Sequence, residues 1–123
     1  MRRVAITGAG TVNALGLSVA ETFDAFREGR SGITALDFRD VDRLSIRIGG
    51  QIHNWDAEAH FSRQQIVLYD RFTQFTLAAA RQAVEQSGLD FGGGAGMDCG
   101  VVLGTAAGGV NTWDDNYRSV YEE

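Results

Sequence analysis

The chain has 123 residues, of which 44% are apolar and 22% are charged, a composition typical of a folded globular segment. Its net charge of -5 argues against a nucleic-acid partner, because neutralising phosphates requires clustered cations and the 11 arginines are scattered along the chain. No stretch approaches the roughly 18 consecutive apolar residues of a membrane span.

The first third of the chain predicts a strand, a turn and an amphipathic helix. Residues 3–7 are rich in β-branched side chains and are followed by glycines within residues 8–10, which favours a buried strand that ends in a turn. Ser18 and Glu21 have the spacing of a capping box, and Gly29 is placed to end the helix that they begin.

The remainder predicts two more strands and two more helices. Residues 46–52 favour a strand interrupted by a glycine pair. Ser62 and Gln65 form a second capping box, which begins a helix predicted to run unbroken to Gly88. Residues 99–103 predict a buried strand, and a last helix follows the next glycine pair. Strands that alternate with helices indicate an α/β fold with parallel strand pairing.

The N-terminal glycine turn also raises the possibility of a dinucleotide site, since such turns present backbone N–H groups to a pyrophosphate. The spacing does not fit this interpretation. The third glycine of the Rossmann pattern would fall at Asn13, and the short-chain dehydrogenase pattern would need glycines at Val12 and Ala14. We expect no cofactor, and a nicotinamide-dependent short-chain reductase stays the alternative from a different enzyme class.

The other chemically active side chains have structural interpretations. His53 and His60 have no standard metal-ligand spacing, so we expect a polar surface loop and no metal site. Cys99 lies within a predicted strand and is expected to be buried and inert, and a single cysteine fits the reducing cytoplasm. The acidic residues expected on the solvated face of the last helix are Asp114, Asp115, Glu122 and Glu123.

Several motifs occur in a fixed order along the chain. They are Arg-Val-Ala-Ile-Thr-Gly-Ala-Gly at residues 3–10, Leu-Gly at 15–16, Gly-Arg-Ser-Gly-Ile at 29–33, Asp-Arg-Phe-Thr-Gln-Phe at 70–75, Ala-Arg-Gln-Ala at 80–83, Ser-Gly-Leu at 87–89 and Gly-Thr-Ala-Ala-Gly-Gly at 104–109. In this order and spacing they resemble the β-ketoacyl synthase family. The chain departs from the family pattern at Asn13, Ala14 and Ala35, which are loop positions.

The resemblance implies a thiolase-like α/β fold with α-β-α-β-α layers. Residues 1–123 would be part of the N-terminal half of that fold, within one β-ketoacyl synthase N-terminal domain. The implied activity is that of a 3-oxoacyl-acyl-carrier-protein synthase, an acyltransferase that carries out a decarboxylative Claisen condensation in fatty-acid or related biosynthesis. The implied partners are acyl-carrier protein, acyl thioesters and a second copy of the protein, in the cytoplasm.

The catalytic cysteine and histidines of the family have no counterpart in residues 1–123, so this segment alone is expected to be inactive. Ala107 matches the family position that commonly carries a branched residue lining the acyl pocket, which implies a roomier or differently gated pocket. A non-catalytic subunit resembling a chain-length factor shares the same N-terminal half. It therefore stays open as an alternative.

Overall fold

The computed structural model describes residues 3–92 and 95–122. Within these ranges the helices are α1 (Val19–Arg27), α2 (Arg63–Leu68), α3 (Arg71–Ser87) and α4 (Val110–Tyr121), and the strands are β1 (Thr34–Ala35) and β2 (Ile48–Gly49). Short 3-10 helices cover Val41–Arg43 and Ala95–Asp98. The longest helix is α3. Near its C-terminal end it contacts the N-terminal segment, and at its N-terminal end it contacts the beginning of α4.

The N-terminal segment lies directly against the backbone of α3. A Cβ atom added at Gly8 would overlap the carbonyl oxygen of Ala83, and one added at Gly10 would overlap that of Ala79. Ala79 and Ala83 are one helical turn apart and therefore share a face of α3. Only a residue without a side chain can approach a helix backbone this closely, so packing against α3 explains the two glycines.

Two glutamines of α3 hold this segment in place. The Gln86 Oε1 atom accepts a hydrogen bond of 2.7 Å from the Ala9 N–H. The Gln82 Oε1 atom accepts one of 3.2 Å from the Thr11 N–H, and its Nε2 atom donates one of 2.7 Å to the Leu17 carbonyl. Gln82 therefore fixes both ends of the loop between the N-terminal segment and α1.

The prediction of helix α1 is confirmed. The Ser18 hydroxyl accepts from the Glu21 N–H at 3.2 Å, while the Glu21 carboxylate accepts from the Leu17 N–H at 2.7 Å and not from the cap residue itself. Gly29 follows the last turn with a φ of +67°. The helix buries Ala25, whereas the aromatic side chains of its predicted apolar stripe remain exposed.

The helix predicted to run unbroken from Ser62 to Gly88 is in fact two helices, so that prediction is wrong. The Ser62–Gln65 capping box is complete and begins α2. Tyr69 is then extended, with φ -102° and ψ 120°, and Asp70 is the N-cap of α3. The Asp70 side chain makes no capping hydrogen bond to α3, although aspartate is a preferred residue at this position. The predicted end at Gly88 is confirmed, and its φ of +64° suits glycine.

The strands predicted at residues 3–7 and 99–103 are not part of a sheet in the described structure. Both strand predictions are therefore wrong for the described structure. A strand is stabilised by hydrogen bonds to a neighbouring strand, and the described sheet forms elsewhere. Val4 is 96% exposed and Val102 is 100% exposed. The described residues therefore do not build the expected α-β-α-β-α layers.

The observed sheet consists of β1 and β2, which pair in antiparallel fashion with Thr34 opposite Gly49. The strand predicted over residues 46–52 is confirmed only at Ile48–Gly49. Parallel pairing is wrong for this sheet. The chain turns back between β1 and β2 without an intervening α-helix, and parallel strands usually need a helical crossover.

Few apolar side chains are buried in the described ranges. Those that are buried are Ala25, Phe61 and Ala78. The exposed apolar residues are spread over several elements. Among the described helices, none combines the length and the apolar character needed to cross a bilayer.

We predict that Gly10→Ala destabilises the protein, because the new methyl group would overlap the Ala79 carbonyl. Overpacking of this kind should lower the free energy of unfolding of the full-length protein by about 1–3 kcal/mol, measured by urea denaturation. Gly104→Ala is the control, since a Cβ atom there has no neighbour within 4 Å. Equal losses in the two variants would contradict close packing on α3.

Candidate functional site

A groove of about 680 Å³ lies where α2, α3 and α4 meet, and we call it the junction groove. Its floor is formed by residues between 66 and 75, around the break between α2 and α3. Residues 37–38, residues 50–52 and the first turns of α4 line the remainder. The lining is mixed, with Phe72 among its apolar groups and Asp70 among its charged ones.

Arg71 attaches one wall of the junction groove to α3. Its guanidinium donates a hydrogen bond of 2.7 Å to the Ile52 carbonyl. The same group lies over the Phe75 ring, 5.3 Å from the ring centroid, which is within the range of a cation–π interaction. Arg71 therefore links residues 50–52 to the helix that forms the floor.

Gln74 is a buried polar residue beneath the groove, only 4% exposed. Its Oε1 atom accepts a hydrogen bond of 2.8 Å from the Trp55 indole, and its Nε2 atom donates one of 2.8 Å to the Tyr69 carbonyl. The Trp55 ring meets the Phe75 ring edge-on at 5.1 Å and stacks on the His60 ring at 4.6 Å. A buried amide bonded at both ends thus fixes the break between α2 and α3.

The beginning of α4 faces the beginning of α3 across the groove. The Thr112 hydroxyl donates a hydrogen bond to the Asp70 carboxylate. Gly109, the N-cap of α4, lies so close to that carboxylate that an added Cβ atom would overlap it. Gly108 lies beside the Phe72 ring, with 4.0 Å between an added Cβ atom and Cζ. The two helix starts therefore meet at Asp70.

Ala107 is exposed and lies in a bend immediately before Gly108, which lines the junction groove. The bend is closed by the Gly108 N–H, which donates a hydrogen bond of 3.1 Å to the Thr105 hydroxyl. Ala107 is therefore next in sequence to a residue that lines the groove, but is not itself among the lining residues. Its role at an acyl pocket stays a prediction.

The histidines and the cysteine lie apart from the junction groove lining. Cys99 is exposed, so the prediction of a buried thiol is wrong, because the strand expected to enclose it is not part of a described sheet. The His53 Nε2 atom is 2.9 Å from the Thr34 hydroxyl, whereas His60 belongs to the aromatic cluster around Trp55. No group of three or more metal-ligating side chains converges within the described ranges.

The acidic residues of α4 form a solvated face, as predicted for the three that are described. They are Asp114, Asp115 and Glu122, whereas Glu123 lies outside the described residues. Arg118 contacts Asp114 at 3.0 Å, and Arg39 contacts Asp115 at 3.3 Å. The hydrogen bond to Asp114, then the charges of Asp114 and Glu122, raise the pKa of Arg118 above its ordinary value. These carboxylates therefore form surface ion pairs.

The sequence contained one signal that could have revealed part of the site. A glutamine between Phe72 and Phe75, on a helix with an apolar stripe, is a candidate for a buried and fully bonded amide. The bond between Thr112 and Asp70 had no such signal. These residues are 42 positions apart, and nothing in either local pattern indicates the other.

Comparison with known proteins places the chain in a family. The model of the β-ketoacyl synthase N-terminal domain matches residues 1–123. The 3-oxoacyl-acyl-carrier-protein synthase 2 of Staphylococcus aureus strain N315 is 30% identical over 122 residues, which cover 99% of this chain and 30% of the relative. The synthase of the same name from Vibrio cholerae serotype O1 gives the same identity and coverage.

The chain therefore belongs to the β-ketoacyl synthase family, as the motifs predicted. It spans about 30% of the length of the curated relatives that it matches. The residues of the matched region include the whole floor of the junction groove and the bend that carries Ala107.

We predict that Gln74→Leu destabilises the full-length protein, because it leaves the Trp55 indole N–H and the Tyr69 carbonyl without their partner. Leaving buried polar groups unsatisfied should cost about 1–3 kcal/mol in urea denaturation. Gln64→Leu is the matched control, since Gln64 is exposed on α2. An unfolding midpoint that shifts no more for Gln74→Leu than for Gln64→Leu would refute the role of the buried amide.

Proposed function

We propose that the full-length protein containing this chain is a 3-oxoacyl-acyl-carrier-protein synthase. The observation that carries this proposal is the match of the β-ketoacyl synthase N-terminal domain to residues 1–123. The name shared by the similar proteins from S. aureus and V. cholerae supports the same activity. The substrates would be an acyl thioester and malonyl-acyl-carrier protein, with the acyl-carrier protein as partner.

The proposed reaction has two chemical stages. A cysteine thiolate attacks the acyl thioester, forms an enzyme thioester and releases the thiol of the carrier. Malonyl-carrier protein then loses carbon dioxide, and its carbanion attacks the enzyme thioester, so that a carbon–carbon bond forms and the cysteine thiolate leaves. Backbone N–H groups would stabilise the oxyanion of this step. We assign none of these chemical roles to residues 1–123.

This chain would instead supply structural elements of a thiolase-like fold. We propose that residues 3–7 and 99–103 join a layered α-β-α-β-α sheet in the full-length protein. Their composition supports this, because strands covered on both faces are continuously apolar and β-branched. The exposed Ile6 and Val101, 92% and 94% accessible in the described structure, would then be covered. We also propose a homodimer and a cytoplasmic location, as the family resemblance implies.

Within this scaffold we propose that Ala107 borders the acyl pocket. Its position next to Gly108, which lines the junction groove, supports the proposal. A methyl group occupies little volume. The pocket would therefore admit a longer or wider acyl chain than a branched residue would allow.

The activity is tested with purified full-length protein, acyl-carrier protein loaded with a saturated acyl chain, and malonyl-carrier protein. We expect release of carbon dioxide and formation of 3-oxoacyl-carrier protein in equal amounts, measured by mass spectrometry. Omission of the acyl donor is the control. Absence of condensation by a folded protein would contradict a synthase and favour a non-catalytic partner subunit, whereas oxidation of a nicotinamide cofactor would indicate a reductase.

Ala107→Ile should shift the acyl preference toward shorter chains. In apolar pockets each methylene changes discrimination by about tenfold or more, so we expect at least that change in the ratio of kcat/KM values for long and short acyl donors. Ala106→Ile is the matched control at the neighbouring exposed position. An unchanged ratio in Ala107→Ile would remove Ala107 from the pocket.

A further inference from the structure

Asp70 occupies a helix-capping position but does not cap its own helix. It is the N-cap of α3, and its side chain makes no capping hydrogen bond there. An aspartate at this position ordinarily accepts from the N–H of the second or third helical residue. The Asp70 carboxylate instead accepts from the Thr112 hydroxyl, in the first turn of α4.

Helix α4 lacks the features that usually stabilise a helix start. Its N-cap is Gly109, which has no side chain to bond the first N–H groups, and its first turn contains no acidic residue. The Asp70 carboxylate lies against Gly109, within the space that a Cβ atom would need. Negative charge near a helix N-terminus is favourable, because the helix dipole is positive there. Asp70 therefore places a negative charge at the N-terminus of α4, whose own first turn contains no acidic residue.

We infer that the Asp70 carboxylate caps α4 through the Thr112 hydroxyl and through its negative charge beside Gly109, and that Asp70 and Thr112 thereby position the bend that carries Ala107. The inference rests on the proposed function, since it assigns the pair a part in selecting the acyl chain. Asp70 and Thr112 are positioning residues in this scheme. They set where α4 begins and hence where the preceding bend lies.

Helix α4 is also held by ion pairs further along its length. Its later turns are attached to the 39–40 loop by ion pairs from Arg39 to Asp115 and from Arg118 to Asp40, at 3.3 Å each. The side chains of the first pair are 60% and 64% exposed, and exposed ion pairs contribute little to stability. Asp70 is only partly exposed. Its bond to Thr112 joins the end of α4 next to Ala107 to the start of α3.

The capping relation is tested by a double-mutant cycle in the full-length protein, with Asp70→Ala, which removes the acceptor, Thr112→Val and their combination. Unfolding free energies from urea denaturation should be non-additive, because either substitution removes the same bond. Amide exchange at Trp113, whose N–H donates to the Gly109 carbonyl at the start of α4, should accelerate about fivefold in Thr112→Val, the effect of losing one cap. Additive losses with unchanged exchange would overturn the inference. If Asp70→Ala does not fold, Thr112→Val and Thr112→Ser decide by exchange alone.

Acyl selection is tested by the ratio of kcat/KM values for long and short acyl donors. We expect Thr112→Val to change this ratio about fivefold, and Thr112→Ser, which keeps the hydroxyl, to restore it. Thr76→Val is the matched control, since its hydroxyl bonds only to the Phe72 carbonyl within α3. A ratio that does not change, or that changes equally in Thr76→Val, would overturn the positioning role. Should condensation itself be absent, the proposed function fails, while the double-mutant cycle still decides whether Asp70 caps α4.

Discussion

The close approach of residues 8–10 to the Ala79–Ala83 face of α3 is the constraint on which the described structure depends. A Cβ atom on either glycine would overlap the helix backbone and move the N-terminal segment away. The amide group of Gln82 reaches the Thr11 N–H and the Leu17 carbonyl only at the present separation. Loss of this contact would therefore release the loop that leads into α1.

The two halves of α3 make different contacts. The C-terminal half holds the N-terminal segment through small residues and amide side chains, whereas the N-terminal half forms the floor of the junction groove. There Arg71 bonds residues 50–52, Gln74 bonds Trp55, and Asp70 bonds the start of α4. One helix thus sets the position of the bend before α4 relative to the N-terminal segment. Changes at either end are expected to act on the groove through this helix.

Local signals in the sequence were sufficient for the helix starts and stops, but not for the break or for contacts between distant residues. The capping box at Ser62 and the glycine at position 88 each act through nearby backbone groups, and both are confirmed. The break at Tyr69 was missed because apolar periodicity continues across it, whereas the Gln74 amide bonds the carbonyl of the extended Tyr69. The predicted sheet depends on neighbouring strands, which no local pattern can supply.

Hydrogen exchange at the Ala9 and Thr11 amides of the full-length protein tests the central claim most directly. Both N–H groups donate to glutamine side chains of α3, so the account predicts that they exchange as slowly as the amides in the middle of that helix. Electron-transfer fragmentation can resolve the two positions. Exchange at the rate of an unstructured chain, with α3 itself protected, would contradict the docking of the N-terminal segment on α3.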